Sequence, residues 1–225
     1  MKNRTSQVSK ALATLALGLT LTTQIGSAQS ANTTTSALAA RWWQWALERP
    51  TSESPLGDPT GQFGAANQPH GNVWFLAGNN GGSTVRTLTI PSGKALFFPI
   101  VNIVDWEDGT LTGGGGKIFR TQNPVQTAQG LVSMVMATAS GMSCTVDGNP
   151  VPITSDNLEV STPFTFNLGD DNIFGVPAGV YYPAVDSGYY VMLQPLSPGP
   201  HTIHFAGTIG FFGFSLDVTY NLTVQ

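Results

Sequence analysis

The chain holds one cysteine and three histidines, and only 10% of its 225 residues carry a charge. Each shortage removes a class of explanation. A single thiol, Cys144, makes no internal disulfide, so stability rests on a packed core, with or without a bound ion. In Met142-Ser143-Cys144-Thr145-Val146 the cysteine alternates with polar neighbours, which marks a small buried hydrophobe rather than a nucleophile. Recognised catalytic signatures are missing too. There is no Gly-x-Ser-x-Gly elbow, no His-Glu-x-x-His and no dinucleotide fingerprint. Gly113 to Lys117 resembles a phosphate loop, but Ile118 stands where Mg²⁺ needs Ser or Thr, and Leu111 replaces the first glycine.

Basic residues are concentrated where they serve an address. Lys2, Arg4 and Lys10 precede the uncharged apolar run from Ala11 to Thr23, and Gly26-Ser27-Ala28 supplies small residues for cleavage. That is the three-part pattern of a signal peptide over residues 1–28, with an apolar run too short to span a bilayer. Removing it leaves 197 of 225 residues, enough for one large domain. Three of the nine basic residues leave with it and none of the thirteen acidic ones, so the remainder carries −7. Such a chain has no electrostatic reason to bind nucleic acid. It also lacks a basic amphipathic helix, so no membrane insertion is expected after cleavage, and the expected location is secreted or periplasmic.

What the chain has in quantity is alternation. From Phe212 to Val224 every even position is large and apolar, and every odd one is small or polar, as in a strand with one buried face. His201 to Gly207 alternates as well, so His201–Gln225 reads as a long hairpin turning through Ile209 to Phe212. In that register His204 faces Asp217, and Phe205 meets Leu216. Other strands are expected at Val73–Gly78, Val85–Ile90, Ser143–Val146, Phe164–Leu168 and Tyr189–Leu193. Ala95–Val104 is apolar throughout and reads as a strand covered on both faces, with Pro99 at an edge, bulge or bend. Gly169–Pro183 is turn-rich.

Two segments change period. Ala37–Arg49 reads as a helix capped by Thr35 or Ser36 and ended by Pro50, with Leu38, Trp42 and Trp45 on one side. Three tryptophans could form a sugar platform, but helical spacing favours docking on a sheet. Val125–Ala139 could be a second short helix, with Ala128, Leu131, Val132, Val135 and Met136 on one face. The expected organisation is therefore a signal peptide (1–28), a flexible leader (29–36), and a mainly β single domain over 37–225. That domain is a β-sandwich of jelly-roll or Ig-like type.

Four stretches, Trp42–Ala46, Val73–Gly78, Pro91–Pro99 and Leu196–Phe205, together resemble a group of exported bacterial proteins of uncharacterised function. The resemblance spans most of the chain beyond residue 28. It implies an envelope or extracellular setting and one domain, and it brings no activity with it.

The acidic loop Asp105-Trp106-Glu107-Asp108-Gly109, directly after the most apolar strand, is the leading candidate site. Asp105, Glu107 and Asp108 could hold Ca²⁺, although no Glu closes the pattern as in an EF-hand. Trp106 could stack on a glycan. Asp105 and Glu107 on one face could instead serve a retaining glycosidase, which needs its carboxylates roughly 5 Å apart. His204–Asp217 is a cross-strand surface pair with no nucleophile beside it, and His201 and His204 point to opposite faces, which disfavours zinc. His70 is a lone loop histidine. Tyr181, Tyr182, Tyr189 and Tyr190 offer stacking faces or flank strands with one of each pair buried, and Phe211, Phe212 and Phe214 form a patch near the hairpin tip. The leading expectation is an exported, non-catalytic module that binds glycan or Ca²⁺ through loops. A polymer hydrolase using Asp105 and Glu107, and a structural envelope protein without a ligand, are the alternatives.

Overall fold

A computed structural model describes residues 25–106 and 124–225. The signal-peptide segment before Ile25, and Glu107, Asp108 and the glycine run after them, lie outside the described residues. At the C-terminus the alternating run folds into β9 (Gly199–Ile209) and β10 (Phe214–Val224), with Ile203, Phe205, Leu216, Val218, Tyr220 and Leu222 buried. The faces are the expected ones, but the register differs. His204 lies opposite Thr219 and Phe205 opposite Val218. The cause is the tip, a helical turn over Gly210–Phe212 that Gly213 closes with φ of 62°, which centres the turn later in the chain. A shift of two residues keeps every side chain on its face, where a shift of one would invert them all.

β10 is flanked by β9 and by the parallel strand β2 (Gly82–Ile90). With β4 (Ala139–Val146) and β5 (Asn149–Pro150) they make one sheet in the order β2-β10-β9-β4-β5. The second sheet runs β1 (Val73–Phe75), β3 (Ala95–Trp106), β8 (Gly179–Leu193), β6 (Leu158–Val160), and β7 (Phe164–Leu168) also pairs with β8. β8 begins inside the turn-rich segment and runs through Pro183, because β7 pairs with its first half and holds it extended.

The two sheets pack face to face over Leu96, Phe98, Val191, Ile203, Phe205 and Tyr220, with helix α2 (Pro124–Met136) closing the same core through Val132 and Val135. The other face of the β3–β8 sheet is covered by helix α1 (Ile25–Leu47) through Trp42, Trp45 and Leu47 against Phe75, Phe97 and Tyr190. The helix is longer than its expected span and passes through 29–36. Ser36 is therefore inside it, and its hydroxyl accepts the Thr162 amide rather than capping an end. The indole N–H groups of α1 are all spent inside the protein. Trp42 donates to the Leu76 carbonyl at 2.8 Å, Trp45 to Ala66 at 3.0 Å and Trp43 to Asp186 at 2.6 Å. The helix docks on a sheet, and no sugar platform is formed.

The β2 alternation also turns Arg86 inward. Its guanidinium donates to the Asp58, Ala77 and Gly78 carbonyls and to the Tyr220 hydroxyl, at 2.7–2.9 Å. The Asp58 carboxylate, held below its ordinary range by backbone N–H groups despite its burial, organises Thr60, Gly61 and Phe63 around that cation. Together they tie the proline-rich loop to both sheets.

Candidate functional site

The acidic segment is not where its sequence suggested. β3 continues through Trp106, so Asp105 and Trp106 are strand residues, 3% and 2% exposed. Asp105 pairs with Val185 and so faces the inter-sheet core, while Trp106 pairs with Ala184 and packs against Phe166, Phe174 and Tyr181. The apolar run carries enough pairing with β8 to draw the first acidic residue inside. This corrects the placement of Asp105 and Trp106, expected in an exposed loop: both are buried in the strand. Glu107 and Asp108 lie outside the described residues. Among the described residues no three carboxylate, histidine or cysteine side chains are grouped to hold a metal ion.

The histidines and the cysteine singled out in the sequence lie apart from that strand end. His204 reaches Asp217 diagonally at 3.2 Å on the half-exposed outer face, rather than directly across the ladder. His201 bonds Asp147 through Nδ1 at 2.7 Å and the Ser197 carbonyl through Nε2 at 2.8 Å, with the Ser197 hydroxyl at 3.3 Å. The order Ser-His-Asp looks catalytic, but a ring nitrogen donating to a carbonyl cannot take the serine proton. Both contacts favour the imidazolium and raise the His201 pKa. Cys144 is buried and burial pushes its thiol up to about 11, as befits an inert core residue. Tyr190 is buried and Tyr189 partly so, whereas Tyr182 is exposed. His70 is exposed.

A cleft of about 310 Å³ opens elsewhere, at the hairpin tip beside β3. Its walls include Trp43 and Leu56 on the α1 side, and Phe212, Phe214 and Leu216 on the side of the other sheet. Asn79, Asn80 and Asn102 are the polar side chains of the lining among the described residues, none of which is charged. Asn79 is committed to its own turn, bonding the Gly82 carbonyl, the Thr84 hydroxyl and the Gly81 amide. The phenylalanines noted near the tip therefore have a use: Phe212 and Phe214, half-buried, form a wall, while Phe211 stays 49% exposed.

Behind the cleft floor lies a buried polar relay. Asn102 donates to the Tyr190 hydroxyl at 3.1 Å, which donates to Asp186 Oδ1 at 2.8 Å, the same oxygen that accepts from Trp43. Tyr190 reaches back along its own strand across Gly188, where a Cβ would stand 2.5 Å from that of Asn102 and 2.9 Å from the tyrosine ring. The ring stacks on Phe97 at 5.1 Å and 4°. Asp186 is wholly buried, and desolvation pushes its carboxyl up to about 8, with the charge of Glu159 adding to the rise. Sequence reasoning missed both Asp186 and Arg86. The available signal was parity: each shares a face with apolar strand neighbours, Arg86 with Leu88 and Ile90, and Asp186 with Ala184.

No protein-family model matches the chain, and no curated protein is significantly similar to it. One chain of the solved structure of PbICP-C in complex with falcipain-2 aligns at a TM-score of 0.26 with 12% identity, over 69% of this chain and 100% of that one. An alignment that loose assigns neither fold nor activity. The β-sandwich stands on the strand pairings themselves.

Proposed function

We propose that the chain is an exported, non-catalytic β-sandwich protein that binds a neutral, mostly apolar ligand in the cleft beside β3. The supporting observation is the described lining: aromatic and aliphatic walls, a few amides, and among the described residues no carboxylate, cation or histidine. Calcium wants several oxygen ligands and acid–base chemistry wants a titratable group, so this cleft suits neither. A concave, largely apolar pocket with a few placed polar groups is the ordinary form of a ligand site. Export is supported by the basic start, the short apolar run and the small residues at 26–28.

The test is fluorescence titration with N-phenyl-1-naphthylamine, an uncharged probe, into the chain lacking residues 1–28. Saturable enhancement at one site is expected, weakened at least tenfold in a Phe212→Ala, Phe214→Ala double variant whose circular dichroism is unchanged. Enhancement indifferent to that double variant, or none at all, would sink the reading. Binding of a glycan panel or of Ca²⁺ that ignores the cleft variant would return the ligand to the loops.

A further inference from the structure

The cleft lies along the Pro99–Ile103 stretch of the β3 edge, which has no strand partner on that side among the described residues. β1 pairs with β3 only at Ala95, Leu96 and Phe97, after which the Leu76 amide makes a last bond to the Phe97 carbonyl. The chain then leaves, because the Ala77 amide bonds the Tyr220 hydroxyl and the Ala77 carbonyl takes Arg86 and Tyr220. β3 runs on to Trp106, partnered by β8 on its other side.

The ladder shows which way its backbone points. Asp186 spends its amide and carbonyl on Ser161, so at the Val104–Asp186 pair both strands aim their polar groups away from each other. In an antiparallel ladder that state recurs at every second pair, hence at Asn102–Gly188. The Asn102 amide and carbonyl therefore point into the cleft, and among the described residues nothing bonds them there. The bulge between Pro99 and Val101 resets the alternation. Pro99 offers the edge a carbonyl but no N–H.

The cleft walls belong to opposite faces of this sheet. Trp43, Leu56 and Phe174 sit on the α1 side, and Ile209, Phe212 and Leu216 on the side of the other sheet. A strand laid along β3 sends alternate side chains to opposite faces, so one set meets each wall.

We propose that the ligand is an extended, uncharged polypeptide segment that adds to β3 as an edge strand over Pro99–Ile103, a span of roughly 16 Å. The proposal rests on the cleft being the binding site, as argued above. Backbone hydrogen bonds to Asn102 supply register, and walls uncharged among the described residues favour a bound stretch free of Asp, Glu, Lys and Arg side chains.

The experiment uses the same chain and a pool of acetylated pentapeptide amides drawn from Val, Thr, Ser and Phe. The tightest member is remade in two N-methylated forms, one for each alternate set of amides. The pool should displace the naphthylamine, and the tightest peptide should slow amide hydrogen exchange at Asn102 at least tenfold. One methylated form should lose at least tenfold in affinity while the other keeps it, since only one set of amides faces β3. Displacement with Asn102 exchange unchanged, or equal binding by both methylated forms, would overturn strand addition. A pool that fails to displace a bound naphthylamine overturns it too but leaves the cleft reading standing; a naphthylamine that fails to bind brings down both.

Discussion

Replacing Asp186 with Asn should stabilise the protein at pH 8 and flatten its pH dependence. The carboxyl is wholly buried and takes two hydrogen bonds on Oδ1, from Trp43 and Tyr190, while Oδ2 has no partner among the described residues. Burial raises its pKa from the ordinary 3.8 to about 8. A raised folded-state value means that the fold holds the proton more tightly than the unfolded chain does. The resulting stability is complete below the unfolded value, is lost progressively as pH rises toward the folded one, and is flat above it. At about 1.4 kcal/mol per unit, the three units between pH 5 and pH 8 cost the wild-type chain about 4 kcal/mol.

Asn keeps an oxygen for both donors and carries no charge. Its amide nitrogen, set where Oδ2 lies, adds an unmet donor worth about 1–3 kcal/mol against the variant at every pH. The two curves should therefore nearly meet at pH 5 and diverge by about 10 °C in Tm at pH 8, for a chain of this length. Glu159, pushed up to about 7 by partial burial, slopes the same way in both proteins and largely cancels in the difference. Thermal unfolding by circular dichroism from pH 5 to pH 8 is sufficient. Parallel curves for the two proteins, or an Asn variant less stable at pH 8, would refute the buried-acid argument.

Arg86→Met should cost at least about 3 kcal/mol in urea unfolding, since it leaves the Gly78 and Asp58 carbonyls buried without their donor and takes one of two donors from the Ala77 carbonyl. Gly188→Ala should cost about 1–3 kcal/mol by the same measurement, because the added methyl meets the Asn102 Cβ, the Tyr190 ring and the Val101 carbonyl within 2.9 Å. In an NMR titration His201 should show a midpoint above 6.5 that returns toward 6.5 in Asp147→Asn, and the tie it makes between the two turns should weaken as pH rises through that midpoint. A His201 midpoint unchanged by the Asp147 variant would mean that the ion pair does not form in solution.

The faces of the strands were legible because two-residue periodicity is a local property. Phe205, Val218 and Tyr220 needed no partner to declare their side, and Cys144 and the α1 tryptophans followed from their neighbours in the same way. Register and strand ends were not legible. The tip turn depends on how Gly210–Gly213 closes, and the end of β3 depends on how far β8 extends to meet it, since a lone Asp105-Trp106 reads equally as strand or loop. The acidic loop was overweighted for the same reason: charge in sequence suggests solvent, whereas pairing decides burial.

The cleft was illegible on different grounds, because it is a difference between two strand lengths. β1 has three residues and β3 has twelve, and the chain after Leu76 is drawn away by Arg86 and Tyr220, which lie elsewhere in the sequence, rather than continuing along the edge. Sheets with exposed edges invite unwanted pairing, and proteins usually shorten, charge or cover them. Here Pro99 withholds one donor, and the described apolar walls flank the rest of this stretch. If a strand adds there, the walls that shield this edge from unwanted pairing would also set which side chains the strand can carry.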